Sequence, residues 1–246
     1  MTRVGLGLVA LTGGLAPELE QANLAWHQLK HVPELYGADG VLNAQRWVST
    51  TACRDQRAIE SELLAPVESV ISYLLGKPAK ESYDSMLSYS QSLPREQDRP
   101  PGGEVLLDSF FEPLATAVAA RVELSAHVLP WRPNRGIYLL VDELDDEPDA
   151  LARYRMAWEG QTAEMLAVPG VAGLWLFGSD RDFPGVLTSQ CEGTYAITIA
   201  FLDDDPANVG AALAPQAMTR TKDLPAQALL AAPFESIPQW NWERFA

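Results

Sequence analysis

The chain repeats itself, and a repeat dictates architecture before any single residue does. Arg3 and Trp26 stand 23 positions apart, as do Arg135 and Trp158; both stretches open on an apolar run (Val4–Leu11, Ile137–Leu144) and pass into helix-like sequence. Gly40-Val41 and Gly170-Val171 each stand six residues after Glu34-Leu35 or Glu164-Met165, and each leads to a strand with a late aromatic, Trp47 or Phe177. Tyr73–Pro78 resembles Phe201–Pro206, and Leu106–Glu112 parallels Leu229–Glu235. The offsets drift from 132 to 130, 128 and 123, as small loop insertions and deletions would produce. The 246 residues therefore divide into two units of about 120 each, a normal size for a domain.

Each unit reads β-α-β-β-α-β. In the first, strands are expected at Arg3–Leu11, Leu42–Ser49, Ser69–Leu75 and Val105–Phe111, with helices at Pro17–Tyr36 and Lys80–Leu93. Pro17 suits a first helical turn and Glu18 and Glu20 suit its positive end, while Pro33 should kink the last turn or end the helix early. Thr50–Glu68 is an insertion, partly helical. In the second, strands are expected at Gly136–Asp142, Gly173–Phe177, Tyr195–Leu202 and Ala228–Phe234, with helices at Asp149–Ala167 and Ala207–Pro215. The expected division is a first unit at 1–117, a linker at 118–134 and a second unit at 135–246, with Arg121–Leu129 a possible extra strand and Pro130–Pro133 a rigid turn. The order is that of the ferredoxin-like split βαβ unit, an α+β fold. Its sheet leaves one apolar face bare, and a tandem copy would cover it. Two sheets packed face to face as an intramolecular α/β barrel are the expected fold.

Composition narrows the partners. Eighteen basic against 33 acidic side chains give 18 − 33 = −15, a field that repels phosphate backbones and anionic lipid, so neither nucleic acid nor a membrane is expected as partner. Two cysteines, Cys53 and Cys191, supply neither a disulfide framework nor a four-ligand zinc site; free thiols in a cytoplasmic protein are expected. Val4–Leu15 faintly resembles a signal peptide, but its counterpart in mid-chain marks it as a first strand. Asp203-Asp204-Asp205 reads as a solvated charge run. No sequence for a nucleotide loop, a nucleophile elbow or a metal cluster is present.

Trp26-x4-His31-x2-Glu34-Leu35 followed by Gly40-Val41-x4-Arg46-Trp47 resembles the helix-to-strand signature of the EthD-like and related branches of the dimeric α/β-barrel superfamily, here in a fused two-repeat form. Both halves share the resemblance at the level of fold, and the motif is clear in the first. The superfamily includes cofactor-free monooxygenases, cyclases, isomerases, dehydratases and haem enzymes. The Trp/His pattern here does not match that of the chlorite dismutases, and no cofactor is expected.

One half can serve as control for the other. His27 and His31 share a helical face, with Glu34 on nearly the same stripe, and an imidazole pair suits proton transfer near neutral pH. The matching segment of the second half holds no histidine, although Glu34 has a counterpart in Glu164, so a structural role for Glu34 is equally open. Gly5 and Gly7 project to one face of the first strand, where the second half has Ile137 and Leu139; either a ligand or close packing fills that space. Arg46, among apolar neighbours, suits a carboxylate or an enolate oxygen, and equally a loop acid at the strand end. Trp26, Tyr36, Trp47, Tyr73 and Tyr83 are candidate pocket aromatics, each equally at home in a core, and His127 is a candidate lid residue. The expectation is an enzyme of the lyase, dehydratase, cyclase or isomerase type, acting as monomer or homodimer on a small apolar or aromatic molecule. His31 is the expected acid or base, Glu34 its orienter, and Arg46 or a tyrosine the oxyanion holder, with His27 beside them. A cofactor-free monooxygenase and a non-catalytic binder of an apolar molecule are the alternatives.

Overall fold

Hydrogen bonding closes the strands on themselves. The computed structural model describes residues 4–93, 100–179, 193–220 and 224–237. Its strands are β1 (Val4–Gly13), β2 (Val41–Val48), β3 (Ile59–Glu60), β4 (Val67–Gly76), β5 (Glu104–Val118), β6 (Gly136–Leu144), β7 (Val171–Ser179), β8 (Tyr195–Leu202) and β9 (Ala226–Ser236). The order is β2-β4-β1-β5-β7-β8-β6-β9, every neighbouring pair is antiparallel, and β9 pairs back to β2. The result is an eight-stranded closed barrel. Helices α1 (Pro17–Trp26), α2 (Val32–Leu35), α3 (Thr51–Arg54), α4 (Ala79–Ser92), α5 (Ala150–Ala167) and α6 (Pro206–Thr219) accompany it. Among the described residues, no helix is long and apolar enough to cross a membrane.

The two halves use the same strand order. It is β5-β1-β4-β2 in the first and β9-β6-β8-β7 in the second. Gly40 and Gly170 each follow a helix at φ of +89° and +90°, a left-handed conformation that glycine adopts without a Cβ penalty. Their sheets, expected to pack face to face as a barrel, are joined edge to edge by hydrogen bonds into one closed sheet. β5 outruns its expected end and pairs with β7 from Phe111↔Ser179 to Val118↔Gly173, while β2 meets β9 at Trp47↔Ser236 and Val48↔Glu235. The insertion assists this second joint. Its strand β3 lies on β9 at Ile59↔Ala231 and Glu60↔Leu230, and Arg57 ties it to the carbonyls of Ala65 and Val67.

Alternation sorts the side chains. Val9, Leu11, Phe111, Leu139, Trp175 and Phe177 belong to the core inside the barrel. Leu6, Leu8, Tyr73 and Phe110 pack with the helices of the first half, and Tyr138, Leu140, Tyr154 and Trp158 with those of the second.

Three local expectations are corrected. Pro33 does not end the first helix: a π-helical turn, His27–His31, joins α1 to α2, and the Val32 N–H donates to the His27 carbonyl. The wider turn places Pro33 in the first turn of α2, where a missing N–H is tolerated. Residues 121–129 form no strand; a 3-10 turn, Ala126–Trp131, starts there, its N-terminal N–H of His127 bonded to Ser125 Oγ. Pro215 lies inside α6 rather than at its end. The acidic run is also engaged rather than solvated: Asp203 pairs with Arg121 at 2.6 Å and with Arg132, and Asp205 caps α6 through the Asn208 N–H at 2.9 Å. Cys53 is buried and free, and Cys191 lies outside the described residues.

Candidate functional site

The candidate site lies between the helices and the outer face of the sheet in the first half. Two neighbouring rows cross that face. One is Ala44–Tyr73–Leu8–Phe110 and the next is Arg46–Ile71–Ala10–Asp108. Apolar side chains fill most positions, so three polar ones stand out: Tyr73, Arg46 and Asp108.

Tyr73 meets the π-helical turn. His27 Nε2 and the Tyr73 hydroxyl are 3.0 Å apart, and both residues are buried. His31 stacks on Trp26 at 4.8 Å, lies 5.5 Å from His27 and meets Tyr73 edge-on at 6.3 Å. The expected histidines and two of the expected aromatics thus form one cluster. The inner histidine is His27, which is buried, while His31 is partly exposed. Glu34 is half-buried on α2.

Arg46 is 6% exposed. It donates to Asn23 Oδ1 at 2.7 Å and to Ser69 Oγ at 3.0 and 3.2 Å. Those partners are neutral. Burial therefore pulls the guanidinium down to about 10, and the fields of Tyr73 and Glu20 only partly oppose it. A buried cation held by neutral dipoles is prepared to receive an anion.

Asp108 was not singled out from the sequence. It is 2% exposed, and among the described residues neither carboxylate oxygen has a hydrogen-bond partner. Burial pushes its carboxyl up to about 6, with its own backbone N–H opposing. The available signal was an acid inside the run Leu106-Leu107-Asp108-Ser109-Phe110-Phe111.

Arg46 also borders a cleft of about 960 Å³ along the β2–β9 joint, together with Gln28, Tyr36, Trp47, Arg135 and Ser236. Tyr36 caps the open edge of β2 there. Its hydroxyl accepts the Ala44 N–H at 2.9 Å and faces the Ala44 carbonyl at 3.4 Å. Trp47 belongs to the barrel core and donates Nε1–H to Asn134 Oδ1 at 3.2 Å. Both have structural work that accounts for them.

The glycines lie elsewhere. A Cβ on Gly7 would stand 3.1 Å from Phe177, and one on Gly5 would stand 2.8 Å from the Lys77 stem. Phe177 of the second half occupies the space left at Gly7, so close packing explains that residue and the expected empty face is filled. Tyr83 packs edge-on against Phe110 at 4.9 Å. His127 lines a separate cavity of about 390 Å³ with Gly5 and Trp175, away from the other two histidines.

The second half holds its own buried polar layer, which sequence reasoning missed. Arg220 grips Asp142 through both terminal nitrogens at 2.5 and 2.6 Å, and Tyr154 donates to the same carboxylate. Trp158 donates to Thr198 at 3.0 Å. Among the described residues no group of three or more His, Cys, Asp or Glu converges as a metal site.

No family model and no curated protein matches the chain. Solved structures do. An anthrone oxidase-like protein superposes with a TM-score of 0.59 at 12% identity, covering 97% of this chain and 94% of that one. A candidate monooxygenase from Fusobacterium nucleatum gives 0.54 at 12% identity, covering 97% and 94%. A chlorite dismutase variant from Candidatus Nitrospira defluvii gives 0.50 at 11% identity, covering 99% and 95%. The helix–sheet cavity of the second half has about 180 Å³ and no histidine in its lining. A fold hosts many reactions; what the likeness establishes is that this chain folds as an α/β barrel.

Proposed function

We propose that the helix–sheet layer of the first half is the active site of an enzyme that moves a proton on a small apolar or aromatic molecule. The single observation that carries this reading is the buried 3.0 Å contact between His27 Nε2 and the Tyr73 hydroxyl, one row from the neutrally held Arg46. The histidine–tyrosine pair takes the proton from an activated C–H or O–H. The negative charge left on the substrate oxygen is met by the Arg46 guanidinium. His31 and Trp26 roof the pair, and Glu34 lies one turn beyond. Returning the proton to another atom gives an isomerase or cyclase; expelling a leaving group gives a lyase or dehydratase. We also read the halves, 1–117 and 135–246, as two copies of one ferredoxin-like unit joined by residues 118–134; the shared strand order and the paired left-handed glycines support this.

A second reading is favoured by the fold neighbours described as anthrone oxidase-like and as a candidate monooxygenase. Here the same deprotonation hands the carbanion to dioxygen. For anthrone the balance is one O₂ consumed, one ketone oxygen gained and one water released.

Anthrone serves as probe for both. Without oxygen, in D₂O, the protein should accelerate exchange at the acidic carbon. In air, oxygen uptake with anthraquinone formation selects the second reading. His27→Ala, Tyr73→Phe and Arg46→Gln should each reduce the rate by about 100-fold, the usual scale for a lost acid–base or oxyanion group. Rates unchanged in all three folded variants would remove this layer from catalysis.

A further inference from the structure

The second half, whose first helix carries no histidine, contains a cavity of its own. It lies between α5, α6 and the outer face of β6, has about 180 Å³, and is bordered by Tyr138, Gln161, Met165, Gln216 and Arg220. That is roughly six waters' share of liquid volume, and less than the pocket of a drug-sized molecule.

Three residues that border this cavity each hold a buried polar atom that, among the described residues, has no hydrogen-bond partner: the Tyr138 hydroxyl, Arg220 Nε and Gln216 Oε1. Such groups are rare, and each one left unmet costs about 1–3 kcal/mol. Three around one void are a complementary set. Tyr138 is 0% exposed, and burial, only partly opposed by the Arg220 field, holds its phenol well above the usual range, so it is a neutral donor. Arg220 turns both terminal nitrogens to Asp142, which neutralises its charge, and its Nε–H is left as an unmet donor. Gln216 donates its amide N–H to the Glu164 carbonyl at 3.4 Å, leaving the oxygen as acceptor.

We propose that this cavity is a second binding site, separate from the layer around His27, for a small neutral molecule that carries both a carbonyl and an N–H. The carbonyl oxygen meets Tyr138 and Arg220, and the N–H meets Gln216. Amides and lactams have this pattern. A carboxylate lacks the donor and brings a negative charge for which no cation is left, since Asp142 already neutralises Arg220. A hydrocarbon leaves all three groups unmet.

The test uses the whole protein and ligand-observed saturation-transfer NMR with benzamide and 2-piperidone. Benzoate and toluene are the contrasts. Benzamide or 2-piperidone should bind saturably, with benzoate and toluene at least tenfold weaker. Tyr138→Phe, which removes only an unmet hydroxyl and should fold normally, should weaken binding about tenfold, and Gln216→Leu should do the same. His27→Ala should leave binding unchanged, which separates this site from the other half. Absence of saturable binding by both probes overturns the proposal. So does equal binding to wild type, Tyr138→Phe and Gln216→Leu, or toluene matching benzamide, which would mean an apolar void only.

Discussion

Both halves bury charge between helices and sheet, and they treat it in opposite ways. In the second, Asp142 and Arg220 neutralise each other and Tyr154 completes the carboxylate's shell. In the first, Arg46 is held by an amide and a hydroxyl, and Asp108 stands at the far end of the same row, with Ile71 and Ala10 between them. A closed pair supports a fold. Buried charges that lack an opposite charge beside them destabilise one. The same scaffold thus carries a closed charge pair in one half and separated charges in the other.

The largest effect that breaks this comparison should come from the closed pair. Asp142→Asn strands a buried guanidinium, and a loss of about 3–5 kcal/mol is expected in urea unfolding. The double change Asp142→Leu with Arg220→Met should recover most of it. A loss under about 1 kcal/mol for the single variant would mean that the pair does not hold the layer.

Asp108 should behave in the reverse sense. Its folded carboxyl titrates near 6, above the ordinary 3.8, so the folded state binds the extra proton between those values. Stability therefore falls as pH rises from about 4 through 6. Asp108→Asn should raise stability at pH 8 by on the order of 2–3 kcal/mol and change little at pH 4, a pH-resolved difference that thermal melts would measure. Equal gains at both pH values would contradict a buried, titrating carboxylate.

The smallest effect sharpens how the halves are joined. Gly7→Ala should cost about 1 kcal/mol, because the added methyl presses on Phe177 across the barrel. A double-mutant cycle with Phe177→Leu should show the two changes to be non-additive.

Strand positions were legible from apolar runs and alternation: β8 was placed at its observed bounds, and other strands missed mainly by running longer. Length failed at β5, since nothing local says that a strand continues into the other half. Prolines misled where backbone geometry could adapt. Pro33 rides a π-helical turn and Pro215 sits within α6. At the site, the imidazole pair was visible as a spacing, and Tyr73 beside it only as an aromatic. Arg46 was visible as a charge in an apolar strand. Asp108 and Asp142 carried the same mark, in Leu106–Phe111 and Tyr138–Leu144, and were passed over. Tyr138 and Gln216 carried no mark, since an unmet hydrogen bond is a property of three-dimensional surroundings.

The unequal joints have a mechanical consequence. Seven register pairs fasten β5 to β7, while two fasten β2 to β9, with two more supplied by β3. Parting the barrel is therefore cheapest at one buckle. Amide exchange should begin at Trp47 and Val48, and the molecule should open as a book does, its spine on β5 and β7, with the cleft beside Arg46 already lying along the fore-edge.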